Sequence, residues 1–487
     1  MLFNSQEFIF LFLPIVLLGY YGLHRLNLHN GAKSFLLGAS LFFYGYYNIS
    51  YVALLLGSIV FNYLLHRMML WETISIRAKK SFLGIGIALN LLLLFYFKYY
   101  NFFVENINAL FRADIVTKDI VLPLGISFFT FQQISFLADS YQTGAEKYSL
   151  LDYGVFVSFF PQLIAGPIVL HQELIPQLRD EKRWRFHTDN MEIGLKYFII
   201  GLAKKTLLAD RLGSIVTLGY TYPIHWNTPG ALLIILSYSL QIYFDFSGYS
   251  DMAIGLGRMF GLEIPINFNS PYKAANIKEF WDRWHMTMTR FFTKYVYIPL
   301  GGSRKGKYRT YINVLLVFTI SGLWHGAAWN FVLWGCMHGV ALVLYRIFKK
   351  YIDKLPQILG RLATFLFVSL AWVVFRADSL GAAKRMLMSL LAGGFGGSNL
   401  NLYYAFLGDG AQLVLSQIPY PVVVYELCAA LFCVGGLAAA LLLVNFGRSS
   451  HETVLRNQRS SGFLYGFLAA LCIMTFMEVS VFLYFNF

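Results

Sequence analysis

Two pairs, Trp284-His285 and Trp324-His325, set an imidazole directly after an indole in or beside strongly apolar sequence. An ionisable side chain at membrane depth is costly to keep, and is a functional candidate for that reason. Imidazole is the side chain whose ordinary pKa lies near neutral pH, so it takes and gives protons readily. Two of them invite either general acid–base chemistry or a proton relay.

The first pair lies in the run 276–297, where Trp281, Trp284, His285, Met288, Phe292 and Tyr295 recur at helical spacing while Lys278, Asp282 and Arg290 fall largely away from them. This predicts one amphipathic helix with His285 aimed inward. A lone histidine on such a face is more often a core residue bonded to a carbonyl; the second Trp-His pair tips the balance towards chemistry. His325 precedes Gly326-Ala327-Ala328, small residues that let helices or substrates approach closely. The competing view makes His325 a hairpin turn at the interface, with Trp324 as its anchor. His338 is read as structural. A zinc site of His285, His325 and His338 lacks acidic or cysteine partners at ligand spacing, so no metal is expected.

Gly301 to Lys307 fits the GxxxxGK portion of a phosphate loop, but Tyr308 stands where Ser or Thr would hold magnesium and no strand precedes it. A nucleotide-hydrolysing loop is excluded. Arg304, Lys305 and Lys307 remain candidates for the phosphates of a cytosolic ligand, or serve only topology. Asp245 lies in an apolar run and could orient an imidazole or pair with a buried arginine, a hydrogen-bonding hub being favoured over catalysis; it is also a substrate-side candidate. Pro123 to Gln133 and Phe160 to Pro167 would break helices and shape a cavity, or merely kink packed ones.

The elements that position these residues belong to a membrane protein. Of 487 residues 57% are hydrophobic and only 13% charged, against roughly 25% charged in soluble chains. Candidate spans are 8–23, 34–48, 51–70, 82–97, 152–170, 191–217, 229–247, 310–324, 328–347, 362–375, 423–446 and 462–485; each is judged against the roughly 17–25 apolar residues that a crossing needs. Segments 121–138, 248–268 and 274–300 look irregular. The net charge of +14 resides in short loops, as the positive-inside rule demands, and no nucleic-acid partner is implied. Loops 66–80, 171–190, 278–309, 346–361 and 448–459 are placed in the cytoplasm, and 98–119 and the long loop 394–421 outside, with both termini extracytoplasmic. Residues 8–23 read as a retained first span. Cys336, Cys428, Cys433 and Cys472 show no metal or disulfide pattern.

The blocks Pro123 to Tyr141, Phe160 to Pro167, Gln241 to Phe260, Asn267 to Gly306 and Gly322 to Gly339 resemble the membrane-bound O-acyltransferase superfamily, and within it the bacterial branch that acetylates polysaccharides, as in alginate biosynthesis. The Phe-Trp-x-Arg-Trp-His run and the Gly-Leu-Trp-His-Gly-Ala run carry the likeness. It implies an all-α polytopic fold of about eleven transmembrane helices, with re-entrant or horizontal helices around a central pore or funnel. The chain would form one domain, 1–487, with its catalytic core at about 120–345. The resemblance also implies acetyl-CoA as donor, a glycan acceptor at an exopolysaccharide or other cell-surface polymer, an extracytoplasmic SGNH-type partner protein, and a bacterial inner membrane location. The family's near-invariant histidine matches His325, and its second active-site position, His or Asn, matches His285. On that footing His325 is the general base towards the acceptor hydroxyl and His285 assists the donor carbonyl or departing thiolate, or the roles are exchanged. Trp284, Trp324 and Asp245 are the substrate-side candidates.

A transporter using His285, His325 and Asp245 as a proton relay is the rival class. It calls for repeated halves, which the sequence does not display. A non-catalytic scaffold is the third reading. Peptidoglycan and D-alanylated teichoic acid stand as alternative acceptor systems.

Overall fold

The computed structural model describes residues 1–487 except 144–146, 222–224, 417–421, 457–461, 476–480 and 484–487. Among the described residues every regular element is helical. Seven helices are long and apolar enough to cross a membrane: Glu7–Arg25, Ser50–Met69, Ile76–Phe111, Thr228–Met259, Trp329–Ile352, Gln357–Arg376 and Val423–Phe446. The protein is an all-α polytopic membrane protein.

Thr228–Met259 is the axis of the molecule, buried on nearly every side. The Asn227 side chain accepts from the Gly230 amide at 2.8 Å to start it. Leu262 N bonds back to Gly257 O at 2.8 Å to end it, with Gly261 left-handed at φ 73. Helix Thr188–Ala203 crosses it at almost backbone contact. A Cβ on Gly194 would lie 2.7 Å from Gly255 O, and one on Gly201 2.5 Å from Gly248 O. Between membrane helices, where lipid removes the hydrophobic drive, such small-residue contacts supply the packing.

The same interface buries an ion pair. Lys205 Nζ meets Asp245 Oδ1 at 2.8 Å and Asp210 Oδ1 at 2.9 Å. Asp245 Oδ2 also accepts from the Leu483 amide at 3.0 Å. Removing one partner of such a pair strands the other charge, at roughly 3–5 kcal/mol. Lys205→Met is therefore expected to lower the thermal unfolding midpoint in detergent sharply, and Lys205→Met with Asp245→Leu to recover much of the loss.

Several expectations are corrected. Residues 121–138, read as irregular, hold most of an intact helix, Ile126–Thr143. Residues 152–170, read as a span, are broken: Leu150–Ser158 and Phe160–Leu163 are short helices and 164–170 is not helical. Pro161 and Gly166-Pro167 forbid continuation there, and protein covers the exposed backbone. The central helix continues through Gly248 to Met259, beyond the expected 247. Residues 394–421 are not simply a loop, since they contain helix Leu400–Ser416. The last expected span, 462–485, falls partly outside the described residues, whereas Gly462–Met474 is helical.

Candidate active site

Lys307–His325 and Trp329–Ile352 form a tight hairpin whose crossing point is Gly322 against Gly335. A Cβ on Gly322 would stand 2.3 Å from Phe331 O, and one on Gly335 2.3 Å from Phe318 O. This fixes the end of the first helix, and His325 is its last residue. The residue is only 4% exposed, and its ring lies 4.8 Å from Trp324, 5.2 Å from Trp334 and 5.3 Å from Phe375, centre to centre.

Lys98 closes that helix end. Its ammonium donates to Trp324 O at 2.7 Å and His325 O at 3.1 Å. A cation on terminal carbonyls satisfies groups that the helix leaves open and complements its dipole. Lys98, Asn101, Leu122, Gly326, Ala327 and Phe331 are among the residues around a cavity of about 290 Å³, which the residues just after the histidine line.

His285 is held differently from the expectation. The run 276–297 is not one helix. Ile277–Arg283 and Met286–Phe292 are separate short helices, and His285 between them is left-handed at φ 44, ψ 52. Non-glycine residues in such regions cost of order 1–3 kcal/mol and persist where the surroundings over-determine them. Here Asn267 is what over-determines the turn. Its backbone oxygen accepts from Met286 N at 3.0 Å. Its Oδ1 accepts from Thr287 N at 3.3 Å, from Thr287 Oγ1 at 2.9 Å and from His285 Nδ1 at 3.0 Å. Because the Thr287 amide can only donate, that Asn267 atom is the carbonyl oxygen, so His285 Nδ1 carries the proton and Nε2 the lone pair.

The broken segment 159–170 now has a purpose. Ile168 N donates to Thr287 Oγ1 at 2.9 Å. Arg290 reaches Ile168 O at 3.1 Å and clasps Glu173 at 2.5 and 2.9 Å. Lys294 Nζ lies 2.9 Å from Asp139 Oδ1, and the Tyr295 hydroxyl donates to Asp139 Oδ2 at 2.8 Å. These bonds clamp the short helices after His285 onto their neighbours. They also frame a second cavity, of about 530 Å³, that includes Met286, Thr287, Arg290, Lys294 and Ile298.

Trp324 packs against both imidazoles: ring centre to ring centre, His285 lies 6.2 Å from it and His325 4.8 Å. It stacks on Phe131 at 5.0 Å, which stacks on Phe291 at 4.1 Å. Trp284 is embedded instead, against Phe268, Phe280 and Trp372 at 5.0, 5.6 and 5.0 Å. Asp245 is bound to Lys205, and its neighbour Phe246 turns to His285, with ring centres 4.7 Å apart. Arg304 and Lys305 are exposed on the turn that follows Ile298 and Lys307 at the start of the next helix, none of them in the lining of the cavity that Ile298 lines. His338 accepts from Trp281 Nε1 at 3.2 Å within an aromatic cage. Among the described residues no cluster suited to a metal is present.

Lys98, Asn267, Arg290 and Lys294 were not singled out from sequence. Lys98 had a signal: a lysine ending an apolar run on the face where the positive-inside rule disfavours cations.

Residues 41–377 match the family model for membrane-bound O-acyltransferases. The chain is 44% identical over 421 residues to a peptidoglycan O-acetyltransferase of Helicobacter pylori, covering 80% of each chain. It is 39% identical over 405 residues to a probable alginate O-acetylase of Azotobacter vinelandii, covering 81% of this chain and 79% of that one. A teichoic acid D-alanyltransferase of Bacillus subtilis is 30% identical over 271 residues, 52% of this chain and 68% of its own.

Proposed function

The chain belongs to the membrane-bound O-acyltransferase family, and from that premise we propose that this acyltransferase moves acetyl groups from cytosolic acetyl-CoA to a hydroxyl serving an extracytoplasmic glycan. The observation that carries this reading is the placement of His285 and His325 against one indole, with the residues that follow each histidine lining a cavity. Positive loops mark the cytosolic face, so the cavity lined by Met286 and Thr287 receives the donor and the one lined by Gly326 and Ala327 the acceptor. At about 530 Å³ the donor cavity is the size of a small-molecule site. It suits the slender acyl-pantetheine arm, with the nucleotide outside near Arg304, Lys305 and Lys307.

In the reaction the acceptor hydroxyl attacks the thioester carbonyl, the carbon–sulfur bond breaks, and CoA leaves as the thiol. His325 takes the hydroxyl proton, which ends on sulfur, so no net proton is consumed. His285 presents a lone pair at Nε2, so it assists the thiolate only by relaying that same proton, received from the hydroxyl by way of His325. The aromatic wall around Trp324 keeps water from the thioester.

The test is purified protein with labelled acetyl-CoA and, in separate assays, alginate oligosaccharide, peptidoglycan fragments and a D-alanyl carrier donor. Acetyl transferred to a glycan or to an extracytoplasmic partner protein supports the reading. Turnover with the D-alanyl donor and none with acetyl-CoA would replace it.

Lys98→Met removes charge-assisted bonds that are typically worth about 1.5–3 kcal/mol each. Turnover is expected to fall about tenfold or more, with Lys98→Arg restoring part of it and the apparent KM for acetyl-CoA unchanged. An equal fall in KM and kcat with a lowered melting point would mark Lys98 as purely structural.

A further inference from the structure

A third cavity lies away from both histidines. It holds about 1130 Å³ between the first helix and the segment 181–198. One wall is Ile9, Leu13, Leu17 and Leu18, facing Leu195 and Phe198. Its other end is polar. His24 and His29 meet through their Nδ1 atoms at 3.1 Å, and both rings stack on Trp184, at 5.2 and 4.1 Å. Arg25 and Arg185 line the same end, and neither has a hydrogen-bond or ion-pair partner among the described residues. The carboxylate of Glu181 is the one acidic group of the lining. Two guanidiniums against one carboxylate favour an anion there.

Length and charge select the occupant. From Ile9 to Arg25 the helix rises roughly 20–25 Å. That is close to one leaflet with its head groups, about half of 40–45 Å. The cationic end sits at the face that the basic loops assign to the cytosol. We propose that this groove is a specific site for one anionic glycerophospholipid of the cytoplasmic leaflet, its acyl chains along the first helix and its phosphate between Arg25 and Arg185. His29 supports the head group, and Trp184 fixes the two rings that floor it.

Native mass spectrometry of the full-length protein, incubated with equal phosphatidylglycerol and phosphatidylcholine, tests this. One phosphatidylglycerol is expected to stay bound with about tenfold preference, as two cations facing an anionic head allow. Arg25→Gln with Arg185→Gln should bring that preference close to unity. Gly22 lines the groove, and a Cβ there meets nothing within 4 Å. Gly22→Trp should therefore fill the slot without disturbing the fold, and both lipids should be lost. Inorganic phosphate at millimolar level should displace nothing. Equal retention of the two lipids, a preference that survives the double arginine change, a lipid that survives Gly22→Trp, or displacement by inorganic phosphate would each overturn the assignment. None of these readouts depends on acetyl transfer.

Discussion

Replacing His325 by alanine is expected to lower acetyl transfer by about 10²–10⁴-fold, the usual contribution of a positioned acid–base group, while the protein stays folded. The ring is buried against Trp324, Trp334 and Phe375, so its removal also opens a small void. Some loss of melting temperature is therefore expected, of the order seen for other core truncations. Turnover and stability must be read together. A folded, monodisperse His325→Ala protein with near-normal turnover would remove His325 from the chemistry. His285 gives a graded comparison. His285→Ala loses both the ring and the Nδ1 bond to Asn267. His285→Asn keeps a polar group at a turn position that favours Asn, since Asn adopts left-handed backbone readily. The asparagine variant should retain more activity than the alanine one.

The second large effect is expected at the helix crossing. Gly322→Val would drive a Cβ to within 2.3 Å of Phe331 O and about as close to Gly335 as 3.0 Å. Both neighbours are backbone, so no side chain can rotate away. The hairpin must open, and His325, a few residues on, moves with it. Overpacking in cores usually costs about 1–3 kcal/mol and sometimes more; rigid backbone on both sides places this change at the upper end. Loss of folded protein on size exclusion, or retained protein with turnover as low as His325→Ala, is the expected outcome. Gly84→Val is the control, because a Cβ there meets nothing within 4 Å, and it should behave like the parent. If Gly322→Val and Gly84→Val are indistinguishable, the crossing does not set the histidine's position.

How much of this was legible in the sequence differs from residue to residue. The apolar runs around Ser50–Met69, Trp329–Ile352 and Gln357–Arg376 announced membrane helices, because an isolated apolar run reports its own solvent. Burial of His285 and His325 was legible too, from the aromatic residues beside them. The irregularity of 274–300 was legible, but not that it takes the form of a left-handed turn at His285. Periodicity records which face is apolar, and two short helices joined by a left-handed turn can keep that record unbroken. What breaks the helix is Asn267, 18 residues away in sequence. In the same way Lys98 finds its acceptors 226 and 227 residues later, a pairing that no local window contains. Residues 152–170 misled for the opposite reason. They are apolar because protein surrounds them, not because lipid does, and composition cannot tell the two apart. The exposed cations Arg304, Lys305 and Lys307 drew attention through their number, whereas Arg290 and Lys294, which line the cavity itself, looked like ordinary helix surface.

The central claim is a buried route on which acetyl passes from one face of the membrane to the other past two imidazoles. Its most direct measurement uses sealed proteoliposomes of known orientation, with labelled acetyl-CoA on one side only and the acceptor on the other. Label should reach the acceptor when acetyl-CoA meets the face bearing loop 278–309, and should not when it meets the opposite face or when His325 is alanine. Equal labelling from either face, or labelling that the alanine variant preserves, would contradict it.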